Sequence, residues 1–176
     1  MKIIKYLGGP LIIAILAFVC QIVDQLYGGK VGIGHSFGWL AFQAWAAYFI
    51  AGCTVKGGVK AFAAYIVGMV ASIAIMVFGG QLTEMGLGFW AFPISILILV
   101  VPTICTEKVE LLNLTPIIFV GAGAFFVIMN YVPEATYASA FIAETVFCLL
   151  GLVLGFLTIL IRGAYDKKFN SPEVTE

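Results

Sequence analysis

Between Leu7 and Ile161 the chain passes through six apolar runs separated by short polar breaks: Leu7–Tyr27, Phe37–Gly52, Val59–Phe78, Leu87–Cys105, Leu114–Tyr131 and Tyr137–Ile161. No water-facing domain can hide that much hydrocarbon in one core. The residues needed to cover such a domain are also missing: 62% of the 176 residues are hydrophobic and 10% are charged, against about 25% charged in soluble domains. Mean hydropathy is +1.12. The pattern predicts an all-α membrane protein of six transmembrane helices, with one membrane domain over residues 1–165. From Asp166 the chain turns polar, and residues 166–176 are expected to form a cytoplasmic tail without fixed structure. No basic patch exists, and nucleic acid is not expected as a partner.

Crossing a hydrocarbon core of about 30 Å takes about 20 helical residues. The second and fifth segments fall short of this and are rich in Gly and Ala. They either sit tilted in a thinned bilayer or form broken, partly re-entrant helices. With six spans, both ends and the second and fourth loops share one side. Lys2, Lys5, Lys56, Lys60, Lys108, Arg162, Lys167 and Lys168 fall there, leaving Lys30 alone on the other side. Basic flanks are retained in the cytoplasm, so both termini are expected to be cytoplasmic. The basic, apolar start MKIIKYLGGPLIIAILAFVC lacks a small-x-small cleavage site before Gln21 and Asp24, so it is expected to remain as the first helix.

Enzyme chemistry finds no support. The four cysteines, Cys20, Cys53, Cys105 and Cys148, form no CxxC pair, and His35 has no ligand-spaced partner. Cys20 and Cys148 lie mid-span, where a thiol packs as a small hydrophobe. No phosphate-cradling glycine loop or nucleophile elbow is present, and neither a metal nor a cofactor is expected.

Two halves of the chain share a plan. Segments two and five are short and built of small residues, each followed by a brief loop and a longer helix with Ala-rich opening turns: KAFAAYIVGMV in the first half, YASAFIAETVF in the second. Tyr48-Phe49 and Phe125-Phe126 lie at corresponding places in the two short helices. Two three-helix halves would be inverted across the membrane, an arrangement in which transporters and channels place the solute near the midplane. Gly151 and Gly155, with Gly121 and Gly123, are candidate helix-packing positions, either within the bundle or between subunits of a homo-oligomer.

Polar side chains within the spans are few. Gln21, Asp24 and Gln25 form one patch near the end of the first helix. Glu144 lies seven residues into the last helix, about 10 Å along its axis, and a carboxylate at depth usually faces the bundle interior or a watery cavity. His35, Trp39 and Gln43 recur every four residues on one face. His35 could titrate in a relay or sit solvated at the interface, and a buried Gln43 would need a hydrogen-bond partner. Together with Asn130, these residues (Gln21, Asp24, Gln25, His35, Trp39, Gln43, Asn130 and Glu144) are the expected lining of a solute pathway. Asp24, Glu84, Glu134 and Glu144 crowd the outer half against Lys30 alone, which favours cationic or neutral solutes.

The stretch AWAAYFIAGCTVKGGVKAF (Ala44 to Phe62), followed by FVGAGAFF (Phe119 to Phe126), resembles the small bacterial inner-membrane proteins typified by YcdZ, a family catalogued as a domain of unknown function. The resemblance covers roughly Gly8 to Gly163, with spacing that differs around Cys53 and Thr54. It implies a multi-span fold in the bacterial plasma membrane and supplies no substrate and no functional residues. The leading expectation is a channel or facilitator for a small polar solute, embedded in the lipid bilayer. A proton- or cation-coupled secondary transporter, or a scaffold that transports nothing, are the alternatives.

Overall fold

The computed structural model describes residues 2–31 and 37–169. These residues form six α-helices, one at each apolar segment: α1 (Lys2–Tyr27), α2 (Gly38–Ile50), α3 (Val55–Leu82), α4 (Ala91–Cys105), α5 (Thr115–Tyr131) and α6 (Tyr137–Phe169). No strand occurs among the described residues. Three apolar helical stretches are long enough to cross a membrane: Tyr6–Lys30, Val55–Lys108 and Tyr137–Phe169, with Thr115–Tyr131 apolar but shorter. The chain is therefore membrane-embedded by the length and composition of its helices.

The stretch Val55–Lys108 contains 54 residues and would reach about 80 Å if straight, far beyond one bilayer. It folds back on itself instead. Gly86 (φ +90°) and Gly88 (φ +49°) take backbone conformations that L side chains rarely adopt, and the chain reverses between α3 and α4. Ser95 then donates a 2.7 Å hydrogen bond to the Ile75 carbonyl, which holds α4 against α3.

Helix boundaries follow local chemistry more than hydropathy. Thr54 has extended backbone angles, and its side chain accepts from the Gly57 N–H at 2.9 Å. This cap starts α3 four residues before the apolar run does. Thr136 plays the same part for α6, accepting from the Ser139 N–H at 3.1 Å. At the other end α6 continues to Phe169, so the polar tail expected from Asp166 begins as helix. Residues 170–176 lie outside the described residues.

The bundle is held by two interlocked pairs, α2 on α6 and α3 on α5. Gly151 lies against the Ala41 carbonyl and the Trp45 backbone N, and Gly155 against the Tyr48 side chain. Gly68 lies against the Ile118 carbonyl and the Ala122 backbone N, and Gly121 against the Tyr65 carbonyl. At each crossing the missing side chain lets one backbone touch another, which is how helices gain dispersion energy where lipid removes the hydrophobic drive. Ser72 adds a polar tie, its hydroxyl lying 3.0 Å from the Ala122 carbonyl. Fully buried alanines at 41, 44, 61, 64, 140 and 143 keep the helices close. Large apolar side chains face outward instead, as with Leu11, Phe18, Leu97 and Val101.

Glu110, in the turn before α5, joins that turn to the start of α3. Its carboxylate accepts from Lys56 at 2.8 Å and lies 3.5 Å from Lys60. The hydrogen bond from Lys56 holds the Glu110 carboxyl below its ordinary range, with the charges of both lysines adding to the effect.

Candidate functional site

The site begins with α6. A 3.6-residue turn places Ala140, Glu144 and Cys148 above one another on a single face, and that face is turned wholly inward. Each of the three side chains is 0% exposed. Neither carboxyl oxygen of Glu144 has a hydrogen-bond partner. Buried polar groups are ordinarily satisfied, and an unpaired ionised carboxylate in such a place costs several kcal/mol, on the order of the penalty for any uncompensated buried charge.

α3 supplies a second such group. Tyr65 is also 0% exposed, and its hydroxyl likewise has no partner. The Glu144 carboxyl is close enough to act electrostatically on both the Tyr65 hydroxyl and the Cys148 thiol. Tyr65 is fixed from below, because its own carbonyl bears on Gly121 of α5. The Trp45 indole N–H and the Thr145 hydroxyl complete the set of buried polar atoms without partners. Around Glu144 the bundle thus gathers a carboxyl, a phenol and a thiol, with bonding capacity left over on the carboxyl and the phenol.

Asp24 is the other buried carboxyl, and its chemistry is spent. It lies at the end of α1, 3% exposed, and accepts from the Phe37 N–H at 2.9 Å. A Cβ added at Gly38 would come 2.9 Å from the Asp24 carboxylate, so a bare glycine makes the room. Asp24 caps the start of α2 from another helix, where free N–H groups and the positive end of the helix dipole both favour an anion.

The other expected pathway residues do not surround one lumen. Gln21 is exposed and reaches the Asp24 carboxylate only at 3.5 Å, and Gln25 is exposed. Trp39 is half-buried against the core. Gln43 is exposed on the outer face of α2, beside a shallow hollow of about 300 Å³ shared with Ile50, Phe119 and Gly123. Asn130 is exposed and donates to the Phe126 carbonyl of its own helix at 2.7 Å. His35 lies outside the described residues. Of the four glycines, Gly121, Gly151 and Gly155 sit at helix crossings, whereas Gly123 has no neighbouring atom within 4 Å of a built Cβ.

Two contributors were not singled out in the sequence. Tyr65 lies in an apolar run, and only its hydroxyl, alone in the middle of that run, marks it. Cys148 reads as a small hydrophobe until its i, i+4 relation to Glu144 is noticed. Among the described residues no group of three or more His, Cys, Asp or Glu side chains could hold a metal ion. None of the five described cavities is lined by Glu144.

A family model described as "Protein of unknown function (DUF1097)" matches residues 10–163. No curated protein and no solved structure matches the chain.

Proposed function

We propose that this chain, which belongs to the DUF1097 family, moves a small polar solute, neutral or cationic, across a membrane. The observation that carries the proposal is Glu144: a carboxyl with no partner, fully enclosed in a bundle whose exterior is built for lipid. Intramembrane ionisable groups are costly and mark ion or substrate pathways. The sequence led first to a channel or facilitator. Complete enclosure of Glu144 favours the coupled form, in which access to a central site alternates between the two sides.

The proposed architecture is two inverted halves, α1–α3 and α4–α6, with six spans. Several observations support it. Gly68 of α3 bears on the carbonyl of residue 118 and the N of residue 122; Gly151 of α6 bears on the carbonyl of residue 41 and the N of residue 45. Each half thus lays its third helix on the second helix of the other, through the same carbonyl-and-amide pair one turn apart. The connections are similar too: among the described residues the positive-φ non-glycine residues are Cys53 (φ 58°) and Glu134 (φ 62°), one and two residues ahead of a capping threonine. Such halves meet at a site near the bilayer midplane in many transporters.

By its basic loops the chain keeps both termini in the cytoplasm, and by its likeness to YcdZ-type proteins it resides in a bacterial inner membrane. It also self-associates. Gln43 sits mid-helix on the outer face of α2 with no hydrogen bond inside the chain, next to the uncovered Gly123. An amide in hydrocarbon is best satisfied by another amide, and a second copy brings one.

The test is flux into proteoliposomes for a panel of urea, amides, polyols, short amines and water, with and without an imposed pH gradient. Coupled transport gives gradient-driven flux that an uncoupler and Glu144→Gln both abolish; a facilitator gives flux indifferent to the gradient. A scaffold gives none, and a chain that carries no member of the panel under any gradient would remove the present support for transport.

A further inference from the structure

We propose that the ion exchanged at Glu144 is a proton, not a metal cation, and that Tyr65 is the positioning group that holds the carboxylate once the proton has gone. The inference rests on the transport reading and sharpens it.

The ligand set decides between the two ions. Hard metal cations collect about six oxygen ligands, and the centre of this bundle offers one carboxylate. Transporters that bind such cations between helices draw the remaining ligands from unwound backbone. Here α3 and α6 run without a break from Val55 to Leu82 and from Tyr137 to Phe169, so their mid-helix carbonyls are committed to helical hydrogen bonds. Burial points the same way: Glu144 is 0% exposed, and a proton needs no cavity.

Among the described residues no cationic side chain of the surrounding helices pairs with the carboxylate. α3 brings Tyr65 within its electrostatic reach, and α6 itself adds Cys148. The buried ionisable groups of α1 are Cys20 and Asp24; the carboxylate of Asp24 already caps α2. The one ionisable side chain of α2 is Tyr48, held against Gly155, and that of α5 is Tyr131, exposed at the helix end. Every charged side chain of the described bundle other than Asp24 and Glu144 lies toward a helix end or in a turn. Among the described residues nothing supplies a counter-charge, and the neutrality of Glu144 is assigned to a proton taken up from outside.

Tyr65 explains how the proton leaves again. Its O–H is buried, unpartnered and electrostatically linked to Glu144. When the site opens to either side, the carboxyl O–H bond breaks, the proton passes to water, and the electron pair stays on the carboxylate. The Tyr65 hydroxyl then donates its hydrogen bond to that oxygen. Uptake of a proton from the opposite side reverses both steps, and nothing is oxidised or reduced.

The experiment reads proton binding directly, by infrared titration of the protein reconstituted in lipid nanodiscs in sodium, potassium or choline chloride. A carbonyl stretch from a protonated carboxyl is expected at neutral pH, absent in Glu144→Gln, with the same titration in all three salts. Tyr65→Phe is expected to hold the proton about tenfold more tightly, the size of one charge-assisted hydrogen bond. That variant removes a hydroxyl with no partner, and size-exclusion chromatography checks that it folds. Absence of the band at neutral pH, or a titration displaced by sodium or potassium, overturns the proton assignment. An unmoved titration in Tyr65→Phe overturns the role of Tyr65. Because no flux is measured, a chain that titrates as described yet carries no solute would refute the transport reading alone.

Discussion

Gly151→Ala tests the helix crossing on which the rest of the bundle depends. In an isolated helix the change would help, since Ala is favoured over Gly by about 1 kcal/mol. At this crossing a Cβ would overlap the Ala41 carbonyl and approach the Trp45 backbone N to 2.9 Å. An ordinary C···O contact is about 3.3 Å or more, so the overlap with the carbonyl is roughly an ångström. The obstacle is backbone, which cannot swing aside as a side chain can. α2 and α6 must part along their length, at the upper end of the usual overpacking cost of about 1–3 kcal/mol. Subtracting the propensity gain leaves a net loss of about 2 kcal/mol, close to a thirtyfold change in the unfolding constant. Gly68→Ala meets the Ile118 carbonyl in the same way and should match it. Gly123→Ala, with nothing within 4 Å, keeps the propensity term alone and should be neutral or stabilising by up to about 1 kcal/mol. Reversible unfolding in mixed micelles, followed by tryptophan fluorescence and far-UV circular dichroism, measures all three. Gly151→Ala as stable as Gly123→Ala would show that α2 and α6 do not cross at this residue.

Other perturbations reach separate links in the argument. Asp24→Ala removes the cap on α2 and should cost about 1 kcal/mol, whereas Asp24→Asn keeps an acceptor for the Phe37 N–H and should lose less than half of that; thermal unfolding in detergent separates them. Gln43→Leu should weaken self-association in bicelles by about 0.5–2 kcal/mol, read by energy transfer between labelled copies, and leave the thermal midpoint of the monomer unchanged. Glu110 is held below its ordinary range by the hydrogen bond from Lys56. Its contribution to stability is therefore present above the usual carboxylate pKa and is lost as pH falls through the lower folded value. Glu110→Gln should then lower the melting midpoint slightly at neutral pH and not at all in strong acid, and high salt should shrink the difference.

The six apolar segments were legible because every helix here is bounded by a change in polarity or by a strong turn signal. The starts of α5 and α6 fall within a residue of the expected ones for this reason. Boundaries moved where a single side chain outweighed hydropathy, as Thr54 does in beginning α3 at Val55 through its bond to the Gly57 N–H. Among candidate site residues, neither depth along a helix nor helical face was a steady guide: Asp24, at the end of α1, is buried. Glu144 was expected inside and is; Gln43 was expected to need a partner inside and instead sits on the outer face of α2. On helices apolar all round, hydrophobic periodicity cannot say which side faces the protein. What does decide is where small residues allow close approach, so Gly151 and Ala41 orient α2 more firmly than any polar residue. Tyr65 stayed hidden for the related reason that a tyrosine in an apolar run reads as bulk until its neighbour across the bundle is known.

In the proposed register of the two halves, Gly68 corresponds to Gly151, Ala61 to Glu144 and Tyr65 to Cys148. The packing positions are kept and the polar ones are not. Where Glu144 presents a carboxyl from α6, α3 presents Ala61, which is 0% exposed. An exchange of access between two sides needs near-equal energies for two arrangements, which a repeated packing scheme provides without further adjustment. It also needs one titratable group, because two carboxyls facing each other across the centre would repel and could not both ionise. Under the proposed transport reading, a single Glu144 whose counterpart position holds Ala61, with Tyr65 within electrostatic reach, would meet both requirements. Moving the carboxyl to the other half, by combining Ala61→Glu with Glu144→Ala, should therefore restore pH-driven flux that Glu144→Ala alone abolishes. Rescue would tie the coupling to the centre between the halves; failure of a correctly folded double variant would tie it to α6 alone and remove the symmetry from the explanation.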